Sequence, residues 1–413
     1  MISRKTGVVM AAVFLVALLV ALVAGCGSSD TTTTTAGGTA TTAGGTATSA
    51  AAAPTGDPVV IGAIVSSTGA NAPLGEPEKN VLAMMQDQIN AAGGVLGRPL
   101  KIVIEDDKSD AKEAVTAVNR LLDQEKAVAI IAASGSASTM AVKDITAQRS
   151  IPQMAMAAGN DVTGKAPTEW IWRTPQSDSM AAARALTYVQ KTLKITKIAI
   201  LHDENAFGTS GSDEITKDAP TYGLTIVGNE SYKTDDTDMT AQLTKIKGEG
   251  PAALIVWGTN PGPALAAKNM KQLNMTIPYI GSHGIANSTF IKLAADAAEG
   301  VVFPAGPLLV PSSITDAKQK KVIDDFIAAY KAKYNASPNP FAGYAYEAIA
   351  LLTDAIGRAK STDGKAIQAA LNATQGFVGP DGVYNYSSTN HDGLTSDDLI
   401  MVKIQGGTWV LAQ

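Results

Sequence analysis

From Val59 onward, short runs of apolar and β-branched residues alternate with longer stretches in which apolar positions recur at helical spacing. Val59 to Val65 reads as a strand, Ser66 to Gly69 as a turn and Glu76 to Ala92 as a helix, which Gly93-Gly94 stops. The alternation predicts further strands at 100–104, 128–132, 153–156, 197–201, 225–228, 253–257 and 279–280. Helices are predicted between them at 111–124, 138–149, 179–192, 211–221, 239–247 and 264–273. Beyond Pro311 the pattern changes to long helices at 316–334 and 343–360 and a shorter one at 365–372, before strands at 383–386, 399–404 and 408–411 close the chain. Strands alternating with helices imply parallel sheets covered on both faces, hence an α/β fold. The body from Asp57 to Gln413 is too long for one ordinary core and suits two domains.

The beginning of the chain follows different rules. Arg4 and Lys5 precede an almost unbroken apolar run from Gly7 to Ala24, the form of a secretory signal covering residues 1–25. Its end, Val23-Ala24-Gly25-Cys26, resembles a bacterial lipobox, which implies that Cys26 carries a lipid anchor at the start of the mature protein. An uncleaved membrane helix is the alternative, since the run approaches the ~18 residues that qualify. Either version places the body outside the cytoplasmic membrane. Residues 26–57, rich in Thr, Gly, Ala and Ser, cannot bury enough surface to fold and read as a disordered tether.

Charge and cysteine content narrow the function classes. The formal charge of −5 at pH 7 is spread without a basic stripe, so nucleic acid is excluded as a partner. Cys26 is the single cysteine, so no internal disulfide forms. The three histidines, His202, His283 and His391, lack metal-ligand spacing. No Gly-x-Ser-x-Gly elbow, Walker loop or strand-following Gly-x-Gly-x-x-Gly occurs, so neither a hydrolase nor a cofactor-bearing enzyme is expected.

Several stretches then carry a family resemblance: Ile61-Gly62 with Thr68-Gly69 and Gly75, Asn90 to Leu100, Glu105-Asp106-Asp107, Ser134 to Thr139, Ile200 to Asp203 with Phe207-Gly208, and Ala298-Glu299-Gly300. In order and spacing the chain resembles the leucine/isoleucine/valine-binding branch of solute-binding proteins, of the type I periplasmic-binding fold. The resemblance implies two doubly wound parallel-sheet lobes joined by three hinge crossovers, near 175–179, 304–307 and 375–380. Lobe 1 would hold 58–177 plus 307–378, and lobe 2 178–306 plus 379–413. It implies a monomer that captures a small amino acid or related organic acid or amide between the lobes, without a cofactor, and hands it to an ABC permease. A ligand-sensing domain for a membrane receptor would need the same closing cleft.

The resemblance also nominates site residues. Ser136 matches a ligand-binding hydroxyl; read from the residues alone, Ser134 to Thr139 is equally an anion cradle at a helix start or an ordinary Ser/Thr cap. Ala157, Ala158 and Gly159 match small residues that offer backbone groups to a carboxylate, with Gly159 in place of the usual Ser or Thr and Asn160 as a substitute for the missing hydroxyl. Leu74, Phe207, Asn260 and Tyr346 match cleft-facing positions, each with core or helix-face packing as the alternative. His283 stands where amino-acid-binding relatives carry an acid that pairs with the ligand's ammonium. A histidine cannot supply that charge, which leaves Asp203, Glu204 or Glu347 as counter-charges, or a cargo without an ammonium.

Overall fold

The computed structural model describes residues 52–412. The expected leader, Cys26 and most of the expected tether therefore lie outside the described residues. Among those described, no helix is long and apolar enough to cross a membrane.

The first sheet is built from β1 (Val59–Val65), β2 (Leu100–Asp106), β3 (Ala129–Ala132), β4 (Gln153–Ala155) and β5 (Ile171–Arg173). The connections run through α1 (Ala72–Ala91), α2 (Ala111–Asp123), α3 (Ser136–Gln148) and the single turn α4 (Asp161–Gly164). All pairings are parallel, in the order β2-β1-β3-β4-β5. The alternation of short strand and helix was legible in the sequence; β5 and α4 were not. At three and four residues they are too short to show a period.

A helix α5 (Asp178–Thr187) then opens a second unit containing β6 (Lys197–Asp203), α6 (Ala206–Asp218), β7 (Thr225–Tyr232), α7 (Thr240–Glu249), β8 (Ala253–Trp257), α8 (Gly262–Gln272), β9 (Tyr279–Gly281), α9 (Ser288–Ala294) and β10 (Val302–Ala305). Its parallel strands lie in the order β7-β6-β8-β9-β10, the same winding as the first sheet. The chain next returns to the first unit through α10 (Ala317–Tyr334), α11 (Pro340–Ala359) and α12 (Gly364–Asn372), with α11 lying against α1. A small antiparallel pair, β11 (Phe377–Val378) and β12 (Val383–Tyr384), follows. Finally β13 (Ile400–Gln405) and β14 (Thr408–Leu411) extend the second sheet antiparallel beyond β10.

Each sheet is buried on both faces, because parallel strands joined by right-handed crossovers place helices above and below. In the first unit Val81, Leu82, Ile349 and Leu352 fill one face, and Val118, Leu121 and Val142 the other. In the second, Leu243, Ile246 and Phe290 oppose Leu186, Ile215 and Trp257 across the sheet.

Three segments join the units. Residues 174–177 lead from β5 to α5, and 306–316 lead from β10 to α10. The third passage lies later than the expected 375–380, because Tyr384, Tyr386 and Leu394 still belong to the first unit's core and Leu399 is the first residue in the second. Two hydroxyls hold it there: Tyr384 donates to Thr174 O at 2.6 Å and Tyr386 to Arg173 O at 2.7 Å.

The passages converge on two buried carboxyls. Glu347 accepts the Asp381 amide at 2.7 Å and is hydrogen-bonded to the Tyr384 hydroxyl, whose own proton goes to Thr174 O, while the Asp381 carbonyl accepts from Gln176 at 3.1 Å. Both Asp381 carboxyl oxygens are buried without a partner. They fill the spaces above Gly306 and Gly343, where a Cβ would come within 2.0 Å of each oxygen, so neither position accepts a larger residue without moving the aspartate.

Burial pushes both carboxyls well above the ordinary carboxylate range, and the Asp381 charge adds to the effect on Glu347. A raised acid contributes stability that is fully present below its unfolded value of roughly 4 and is lost as pH climbs toward the folded value. The melting temperature should thus fall as pH rises above about 4, and Asp381→Asn, which holds no titratable proton there, should fall less steeply. Parallel melting profiles for the two proteins from pH 4 to 9 would remove Asp381 as a proton holder.

Candidate functional site

In an open parallel sheet the loops at the carboxyl ends of the strands carry free backbone groups and line a crevice where the winding reverses. Here two such edges face one another across a cavity of about 130 Å³. From the first unit come Ala70, Asn71 and Leu74 after β1, Ser109 after β2, Ser134 to Ser138 after β3 and Met156 to Ala158 after β4. From the second come Asn205 to Phe207 after β6, Thr234 after β7, Thr259 after β8 and His283-Gly284 after β9; Phe341 and Tyr344 of α11 complete the lining. The volume is below the roughly 300 Å³ at which drug-sized pockets begin and near the roughly 150 Å³ that admits a benzene ring. It suits a ligand of few heavy atoms.

Of the residues nominated from sequence, Leu74, Ser136, Ala157, Ala158, Phe207 and His283 meet at this cavity. Ser136 is the first residue of α3, whose start at Gly135 has no side-chain cap. Its hydroxyl accepts the Gly159 amide at 3.1 Å and keeps a proton to donate. Ser134 is occupied behind the wall, accepting the Ser66 amide at 2.9 Å and donating to the buried Glu78.

Gly159, Asn260 and Tyr346 do not reach the cavity. Gly159 lies behind Ser136, and a Cβ there would stand 2.9 Å from the Ser136 hydroxyl, so a serine or threonine at 159 would displace Ser136. Asn260 is buried and donates to Asn287 at 3.2 Å, while its neighbour Thr259 faces the cleft. Tyr346 packs on Phe326 with ring centroids 4.9 Å apart, on the far side of α11 from Tyr344. Helical spacing from Phe341 would have pointed to Tyr344 instead. The Tyr344 hydroxyl is buried and has no partner among the described residues.

The polar setting is mostly uncharged. His283 is 2% exposed, sits edge-on to Phe207 and Trp257 at 5.4 and 5.8 Å, and leaves both ring nitrogens unpartnered. Burial, helped by the Arg173 charge, pushes its pKa down to about 3, so the ring is neutral at physiological pH. Behind it Asp178 accepts from Trp257 Nε1 at 3.1 Å, and burial pushes its pKa up to about 7 against hydrogen bonds from Ser210 and Trp257. Of the suggested counter-charges, Asp203 is bound by the Asn205 amide at 3.0 Å and by Thr234 at 2.7 Å, Glu204 accepts from Ser231 at 3.0 Å, and Glu347 belongs to the hinge. None of the three lines the cavity.

The two edges are latched together. Thr259 donates to Asn71 at 3.3 Å across the cleft. Asn160 lies outside the cavity lining and bridges the units: its backbone amide donates to Ser210 at 2.9 Å, its Nδ2 to Glu214 at 3.2 Å, and its Oδ1 accepts the Ser179 amide at 2.9 Å.

Comparison with known proteins agrees with this architecture. Residues 58–408 match the family model described as periplasmic binding protein. The Leu/Ile/Val-binding protein BraC3 of Rhizobium johnstonii is 29% identical over 358 residues, covering 86% of this chain and 94% of that protein. An extracellular ligand-binding receptor from Rhodopseudomonas palustris HaA2 superposes with a TM-score of 0.80 at 26% identity, covering 86% of this chain and all of the other. LivJ of Streptococcus pneumoniae, a branched-chain amino acid transporter substrate-binding protein solved with isoleucine, superposes at 0.78 with 24% identity over 86% of this chain and 99% of its own.

Removing the latch should favour an open form. Asn160→Ala deletes two side-chain hydrogen bonds worth about 0.5–1.5 kcal/mol each. Ligand affinity should fall by roughly tenfold, and small-angle scattering should report a larger radius of gyration without ligand. An unchanged radius together with unchanged affinity would show that closure does not depend on Asn160.

Proposed function

The chain belongs to the periplasmic binding protein family, and on that premise we propose that it captures a small solute between its lobes outside the cytoplasmic membrane and delivers it to an ABC permease. The observation that carries this reading is the meeting of two carboxyl-end loop sets, latched to each other around one small, partly apolar cavity. Such a cavity is assembled by closure and taken apart by opening, so ligand occupancy becomes a change of shape. A membrane partner recognises that shape. Relatives are named for leucine, isoleucine and valine, and the cargo of this chain falls in the same size class: a small amino acid of branched-chain type, or a related organic acid or amide.

The site divides the work by residue type. Ser136 and the uncapped start of α3 hold the polar end of the solute, Leu74 and Phe207 close over its apolar part from opposite lobes, and the Ala157-Ala158 backbone sets its depth. Cys26 carries the lipid that keeps the body near the permease, and the Thr/Gly/Ala-rich segment supplies reach.

Thermal-shift screening of amino acids, organic acids and amides tests the reading. A ligand at a hundred times its Kd stabilises the fold by about 2.7 kcal/mol. Ser136→Ala should weaken binding of the identified solute by about tenfold or more, the loss of a hydrogen bond to a charged group. Unaltered affinity removes Ser136 from the site, and a panel in which nothing stabilises the protein removes the function.

A further inference from the structure

Resting on the solute-binding reading, we infer that the cargo is a small monocarboxylate with a compact apolar body and no ammonium, and that the cleft discriminates against free amino acids.

A zwitterion needs two opposite polar sites, and the cavity offers one. For the anion, α3 runs thirteen residues from Ser136 to Gln148 and starts in the cavity wall without a side-chain cap. Two unpartnered groups stand in the same lining: the Tyr344 hydroxyl on a residue 1% exposed, and the nitrogens of His283. A hydroxyl and a neutral imidazole each donate one hydrogen bond, which suits carboxylate oxygens.

For an ammonium, the carbonyl acceptors at the β4 edge are taken and no charged acceptor lines the cavity. The backbone oxygens of Ala158 and Gly159, which end the β4 edge, both accept from the buried guanidinium of Arg173, the second at 3.0 Å, and Ala158 O also accepts the Asp178 amide at 2.9 Å. The partner of that guanidinium, Asp392, lies 3.0 Å away and is 30% exposed, so water screens its charge more than that of Arg173. The acids behind the wall do not reach through it. Glu78 accepts from Ser134, and Asp178 stands 3.9 Å behind His283 Nε2, beyond hydrogen-bonding distance. An ammonium entering here finds no carboxylate in the lining, and a buried guanidinium behind the β4 edge.

The test is isothermal titration of the full-length protein with matched pairs that differ by the ammonium alone: valine against 3-methylbutanoate, leucine against 4-methylpentanoate, phenylalanine against 3-phenylpropanoate. In each pair that binds, the carboxylate without the amine should be tighter by about tenfold or more. His283→Glu, which places a carboxylate in the lining, should shift the preference toward the amino acid, and His283→Gln should not. An amino acid equal to or tighter than its partner in the wild-type protein overturns the inference while the solute-binding reading stands. Silence across every pair overturns it too; silence across the wider thermal-shift panel would remove the solute-binding reading with it.

Discussion

Strands that all run parallel must all end on the same edge of their sheet, with right-handed crossovers returning the chain between them. In this protein the obligation applies twice, in the orders β2-β1-β3-β4-β5 and β7-β6-β8-β9-β10, and the two edges face each other. Each edge carries the free amides, short polar side chains and helix starts that such edges always carry. Their apposition makes a binding cavity out of features that are structural requirements in either unit alone.

The hinge supplies the other half of the design. Chain passages at 174–177, 306–316 and beyond Leu394 must share a narrow volume, and that volume is filled by Glu347, Asp381 and the glycines whose missing side chains leave room for the Asp381 carboxyl. Buried acids without full hydrogen bonding cost free energy that leucine or valine would not. Their presence marks a place where the backbone is crowded and polar. Asn160, through Ser210, Glu214 and Ser179, ties the end of the first sheet to the second unit beside the 174–177 passage.

The electrostatics of the cleft follow from what burial does to each group. The guanidinium of Arg173 has its hydrogen bonds satisfied by carbonyls, Thr163 and Asp392. The acids and the imidazole nearby relieve the cost of burial by favouring their neutral forms. A helix start adds partial positive charge on the same side. The cavity therefore presents hydrogen-bond donors and apolar walls, and little negative charge.

Much of this was legible in the residues. Strand and helix alternation declared the α/β class because burial on both faces of a sheet forces apolar runs of a definite length, and the family resemblance, not local pattern, nominated Ser136, Ala157, Ala158, Leu74, Phe207 and His283, which meet at the cavity. Elements of three or four residues, such as β5 and α4, left no periodic trace. On α11, Tyr344 shares helical spacing with the cleft-lining Phe341 while Tyr346 turns to Phe326, a distinction that becomes decisive only once the packing of the helix fixes which face meets the cleft. The third hinge passage was placed too early because tyrosine hydroxyls seeking backbone oxygens around 200 positions away hold residues 377–394 on the first unit. Local sequence determined the elements and the chemistry at their ends, since propensity and burial act over a few residues. Tertiary structure alone decided which polar atoms found partners, and so which ones remain free to hold a ligand, because hydrogen bonds and desolvation depend on neighbours that the chain brings together from far apart.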